Sequence, residues 1–143
     1  MLLPLLLFFQ AAASPDGVIK AATRYFPGVM WQAESIITAD FTCAGRKQAA
    51  ILGATKDGVV VAMFSNGIDK RPEAFRDDVH HASLARLEIE DLDYDPEKED
   101  PGYVLPGFRR SKTCKGLTVI DDQTDPLHLY WDHKARRFGY WSH

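Results

Sequence analysis

The sequence predicts a sheet-rich α+β protein: a single domain built on an antiparallel sheet of about six or seven strands, with one or two short helices. Three observations carry this reading. Short apolar or alternating segments recur between turns rich in Gly, Asp, Asn and Pro. The segments 48–55 and 59–64 flank a turn containing Asp57-Gly58, a strong local signal for a two-stranded hairpin. Helical spacing of apolar residues is confined to two short stretches, and no repeat of fixed period points to a propeller or a solenoid.

At the N-terminus, residues 2–9 are uncharged and almost wholly apolar, and Ala11-Ala12-Ala13-Ser14 follows. This is the pattern of a secretory signal peptide over residues 1–13: an apolar core, then small residues that a signal peptidase accepts, with cleavage between Ala13 and Ser14. The positively charged start usual in such peptides is missing. The run falls well short of the roughly 20 residues that span a bilayer, and Pro4 interrupts it. Residues 14–143 are then one exported domain, periplasmic or secreted, with no membrane span after cleavage.

Asp16 is placed to cap a helix through Val18, Ile19, Ala22, Tyr25 and Phe26, which Pro27-Gly28 ends. Ile36 and Ile37 lie in a segment at 34–41, ahead of a loop at 42–47. The hairpin strands that follow are nearly continuous in apolar residues, which puts them in the middle of the sheet, covered on both faces. Pro72, followed by Glu73, Ala74, Phe75, Val79 and Ala82, predicts a second short helix. Residues 85–92 alternate, with Leu87 and Ile89 on one side and Arg86, Glu88 and Glu90 on the other, as in a strand with one wet face. An acidic, proline-punctuated loop runs from 93 to 107. Residues 117–120, 127–131 and 138–141 read as three strands joined by turns at 121–126 and 132–136.

The 143 residues carry a formal net charge of −3, which gives no electrostatic case for nucleic acid or for an anionic membrane. Basic residues cluster at Arg109-Arg110-Ser111-Lys112 and at Lys134-Ala135-Arg136-Arg137, where they read as solvated strand edges. The chain has two cysteines, Cys43 and Cys114. In an exported protein a single pair most simply forms one disulfide. A reactive thiol or a redox pair is the alternative, but the two are far apart in sequence and no Cys-x-x-Cys arrangement is present.

Around Cys43, the run Asp40-Phe41-Thr42-Cys43-Ala44-Gly45-Arg46-Lys47-Gln48-Ala49-Ala50-Ile51-Leu52 resembles one degenerate unit of the FG-GAP or VCBS type. In that family an Asp-Phe-Asp-Gly-Asp-Gly-Arg-x-Asp-like loop precedes an apolar strand. With the hairpin included, the resemblance spans about one fifth of the chain. It implies an exported β protein of the kind used in adhesion, binding or enzyme inhibition, with calcium in the loop where the ligands are kept. Asp40, Phe41, Gly45 and Arg46 hold their places, whereas Thr42, Ala44 and Gln48 stand where carboxylates or an Asn belong. Calcium takes about six to eight oxygen ligands, so Asp40 alone is not a site. A bond between Cys43 and Cys114 would tether the loop in place of the ion.

The run 91–100 has alternate carboxylates like the start of an EF-hand loop. Pro96 stands where the sharp turn needs glycine, and Gly102 where a bidentate Glu closes the site, so the run reads as a solvated acidic loop. No metal and no cofactor are expected. Candidate acid–base groups are the adjacent His80 and His81, with Asp77 at helical spacing, and the row His128, Tyr130 and Asp132 on one side of a strand. Nucleophile elbows, zinc helices and phosphate loops do not occur, and no catalytic residue is assigned.

Tyr130, Trp131, Phe138, Tyr140 and Trp141 crowd the last two strands. Parity along the chain puts Tyr130, Tyr140 and Phe138 on one face and Trp131 and Trp141 on the other. One set belongs to the core, and the other is a candidate surface for a protein or polysaccharide partner, unless both serve as core and cross-strand pairs. The expected function is that of an exported non-enzymatic binding protein, an inhibitor or immunity-like partner of an envelope hydrolase. The rival is a small exported hydrolase or metal-dependent enzyme using His80, His81, His128 or Asp132. Convergence of those side chains in one pocket separates the two readings.

Overall fold

The computed structural model describes residues 13–78 and 82–143. The expected signal peptide falls almost entirely outside them, as do Val79, His80 and His81. Pro15 has no N–H to leave unsatisfied and a φ already suited to a helix, so it occupies the first turn of α1 (Pro15–Tyr25). The cap is therefore Ser14, not Asp16: its hydroxyl accepts from the Gly17 N–H at 3.1 Å. Asp16 instead lies in the first turn, where the helix dipole favours its charge. The helix ends at Phe26, ahead of Pro27, and buries Val18 and Ala22.

Beyond it the chain forms β1 (Met30–Trp31), β2 (Ile37–Ala39), β3 (Gln48–Ala54), β4 (Val59–Phe64) and β5 (Glu73–Asp77) in one antiparallel sheet. β1 and β2 share the same side of β3, pairing Trp31 with Gly53 and Ile37 with Ala50. A 3₁₀ turn at Ala33–Ser35 fills the gap between them. There the buried Ser35 hydroxyl accepts from the Leu52 N–H at 2.8 Å and donates to the Gln32 carbonyl at 2.7 Å, so the interrupted ladder leaves no orphan at that point. The β3–β4 hairpin is central and buried on both faces, as its unbroken apolar run predicts.

The second helix predicted after Pro72 is instead the strand β5. Its residues alternate between two environments, which a helix would not allow: Phe75 pairs with Val61 on the inner face, while the Arg76 guanidinium lies 5.7 Å from the Phe26 ring outside. The apolar β4 would otherwise expose an unpaired edge, and pairing that edge outweighs the weak helical spacing.

A second antiparallel sheet is a simple meander of β6 (Arg86–Asp91), β7 (Lys115–Ile120), β8 (Leu127–Asp132) and β9 (Arg137–Trp141). The strands are thus divided between two sheets rather than gathered in one. The reason lies in β3 and β4, whose two apolar faces both need cover. Ile51, Ala62 and Phe64 pack under α1, while Leu52, Val61 and Met63 face Leu87, Leu117 and Leu129 of the meander. Phe41, nearly inaccessible, enters the same inter-sheet core from the loop after β2.

The acidic loop is a fourth layer. After β6 it makes one helical turn, α2 (Pro96–Glu99), capped by Asp95, and then lays Leu105 and Phe108 with Tyr94 against Tyr130 and Trp141 on the outer face of the meander. Cross-links join the two sheets. Glu73 of β5 accepts from the Phe138 N–H of β9 at 2.9 Å, and the Cys43–Cys114 disulfide, with Cα atoms 5.3 Å apart, ties the first sheet to the start of β7.

Candidate functional site

The loop between β2 and β3 is organised by acceptors that gather backbone N–H groups. Asp40 takes Ala44 N–H on Oδ1 (3.1 Å) and Gly45 N–H on Oδ2 (2.8 Å). Buried Gln48 uses all its amide capacity: Oε1 accepts from the N–H groups of Phe41 (2.9 Å) and Thr42 (3.1 Å), while Nε2 donates to Thr42 Oγ1 (2.7 Å) and to the Ser65 carbonyl (2.9 Å). The loop thus turns donors, not oxygens, toward its centre. Among the described residues, no three His, Cys, Asp or Glu side chains are grouped to hold a metal ion.

This loop walls a cleft of about 460 Å³ lined by Thr42, Ala44, Arg46, Ser65 and Asn66 on one side and Trp131, His133 and Arg136 on the other. The opposite wall is the β8–β9 turn, held by Asp132, whose Oδ1 accepts from Lys134 N–H (2.9 Å) and Ala135 N–H (2.8 Å). Among the described residues, the non-glycine residues with positive φ are Cys43 (58°) and Arg136 (56°), one in each wall. Left-handed backbone at such residues is costly, and it clusters where function demands a shape. Cys43 is fixed there by the disulfide. Arg46 donates from Nη2 to the Ser65 carbonyl (3.1 Å), and among the described residues no carboxylate lines the cleft.

Burial holds His133 below the ordinary histidine range, the Arg109 guanidinium adds to this, and Asp132 opposes it in part. The folded state therefore disfavours the protonated ring. Its contribution to stability is complete above the unfolded value of 6.5, begins to fall below that, and is gone once pH has dropped through the folded value. The expected result is an NMR titration midpoint for His133 below 6.5, with a loss of stability on acidification that a His133→Gln variant shows to a smaller extent.

The candidate aromatic surface divides differently from its sequence parity. β8 and β9 pair Tyr130 with Gly139, Trp131 with Phe138, and His128 with Trp141. Directly opposed residues share a face, and each pair joins an even position to an odd one, so Tyr130 goes with Trp141 and Trp131 with Phe138 and Tyr140. Tyr130 and Trp141 are buried, 3% and 6% exposed, beneath the fourth layer. Tyr140 is 63% exposed with its ring tilted against Phe75 at 5.1 Å between centroids, and Trp131 is half-buried at the cleft.

Of the candidate acid–base groups, His128 and Asp132 do not act together, since Asp132 is committed to its turn. His128 meets a residue that sequence reasoning missed: its Nδ1 is 3.0 Å from both carboxylate oxygens of Glu90, 38 positions away. Glu90 Oε2 also accepts from Thr118 Oγ1, and the Trp141 indole stacks on the imidazole at 4.1 Å between centroids. Both members of the pair are only 15% exposed. Burial raises the nearby Tyr94 phenol above its ordinary range, Glu90 adding to this, and pushes Tyr130 up to about 12, so both stay protonated at neutral pH. The arrangement is a closed polar clasp on the outer face of the meander, away from the cleft. His80 and His81 lie outside the described residues.

Comparison with protein-family models, with curated proteins and with solved structures finds no match to this chain. Among the described residues, no helix is long and apolar enough to cross a membrane.

Proposed function

We propose that the chain is an exported, non-enzymatic binding protein whose recognition surface is the cleft beside Trp131, continued by the exposed Tyr140. The observation that carries this reading is the cleft itself: it is walled by a loop that a disulfide tethers and a buried amide fills, and its backbone is strained on both sides. Rigid walls are what a binding site needs to avoid an ordering cost on association. A disulfide accords with an oxidising compartment. The resemblance of residues 40–52 to an FG-GAP or VCBS unit, a family used in adhesion, binding and inhibition, fits the same use. The partner is a protein or polysaccharide of the envelope, an envelope hydrolase being the protein case. Of the residues the rival hydrolase reading names, His128 is enclosed by Glu90, an indole and Thr118, Asp132 is committed to its turn, and His80 and His81 lie outside the described residues.

The test is capture from envelope extract with residues 14–143 as bait. Wild-type bait is expected to retain a partner that the Trp131→Ala/Tyr140→Ala bait binds at least tenfold more weakly, the scale of an aromatic hot spot. Equal capture by both baits would place recognition elsewhere. Hydrolysis of an envelope substrate that His128→Ala abolishes would establish the rival.

A further inference from the structure

The cleft gathers positive charge that no acidic side chain among its described lining residues answers. Arg46 comes from the β2–β3 loop and Arg136 from the β8–β9 turn, and among the described residues neither arginine forms a salt bridge. The acids closest in sequence, Asp40 and Asp132, are turned to backbone N–H groups of the two walls. Thr42 adds a further donor, since its Oγ1 accepts from Gln48 Nε2 and its own proton is left to point elsewhere. Guanidinium groups match the fork of an oxyanion, and one partner for Arg46, the Ser65 carbonyl, still leaves free donors on the same group. Trp131 meets Phe138 edge-on at 5.1 Å, which fixes an indole at the cleft as a platform for the apolar face of a ring.

We propose that this cleft binds a sugar ring that carries an oxyanion, the anion held by Arg46 and Arg136 and the ring laid on Trp131. Carboxylate and phosphate share the required chemistry. The assignment rests on the binding-protein reading and adds to it the class of ligand. Arg136 is the informative position, because glycine suits its φ of 56° better than arginine does. The guanidinium is thus kept at the expense of backbone strain.

Titration of ¹⁵N-labelled residues 14–143 with methyl glucuronoside, glucose 6-phosphate, methyl glucoside and inorganic phosphate tests this directly. Saturable shifts are expected at Arg46, Asn66, Trp131 and Arg136 with one or both sugar anions, and the comparison of the two identifies the anion. Neutral glucoside and inorganic phosphate should bind at least tenfold more weakly. Arg136→Gly should weaken sugar-anion binding at least tenfold while melting no lower than wild type, which separates loss of the guanidinium from loss of fold. Binding of the neutral sugar or of free phosphate as tightly as the sugar anion, an unaffected Arg136→Gly, or no binding of any probe would overturn the assignment. If no probe binds and the Trp131→Ala/Tyr140→Ala bait still loses its partner, the binding-protein reading stands and the ligand class alone falls.

Discussion

Replacing Cys43 and Cys114 together by serine is expected to lower the unfolding free energy by about 4 kcal/mol, the chain-entropy value for a loop of this size. The bond joins residues 71 apart in a chain of 143, and it connects the first sheet to the entrance of the second, so its removal frees about half of the unfolded chain. A native-state effect offsets part of this. Without the bond, Cys43 has no covalent reason to remain in left-handed backbone, and the loop wall can relax. Urea unfolding of the oxidised protein against the double variant measures the difference, and the slope should also rise because the unfolded chain becomes less compact. A loss below about 1 kcal/mol would mean that the loop holds its shape without the staple.

The second large effect is expected at Gln48. Gln48→Leu keeps the volume but leaves the N–H groups of Phe41 and Thr42 without acceptors in a buried setting. At about 1–3 kcal/mol for each unsatisfied group, a loss of about 3 kcal/mol is expected. The Ser65 carbonyl does not add to this cost, since Arg46 still donates to it. Because Phe41 enters the inter-sheet core next to this amide, the damage should spread beyond the loop. Hydrogen exchange should then accelerate at Phe41 and Thr42, and also in β7, against which the core packs. Exchange confined to residues 40–47 would instead show that the amide serves the loop alone.

Local chemistry explains which parts of the fold were legible. The Asp57-Gly58 turn and the unbroken apolar runs around it point to one hairpin, and the turns at 121–126 and 132–136 delimit β7, β8 and β9 in nearly their observed positions. With two cysteines in the chain, one pairing was available, and the Cys43–Cys114 disulfide is that pairing. What remained hidden depends on contacts far apart in sequence. β5 carries helix-compatible residues after a proline, and only the need of β4 for a partner makes it a strand. The division into two sheets follows from the double-sided apolarity of β3 and β4, which calls for cover on both sides without saying what supplies it.

The candidate site was legible in part for the same reason. Trp131 and Tyr140 belonged to the predicted surface, but Tyr130 and Trp141 did not remain exposed, because the register of one hairpin exchanges the faces of every residue on β9. Arg136 was visible as part of a basic run, yet its meaning comes from Arg46, which reaches the same cleft from the other sheet. Likewise Glu90 lies two strands away from His128, diagonally across β7, and no spacing rule along the chain relates them.

Chemical-shift mapping of ¹⁵N-labelled residues 14–143 with fractionated envelope extract tests the proposed recognition surface. Perturbations are expected to concentrate at Thr42–Arg46, Ser65–Asn66 and Trp131–Arg136, extending to Tyr140. Perturbations centred instead on Glu90, His128 and Trp141, with the cleft unchanged, would contradict it.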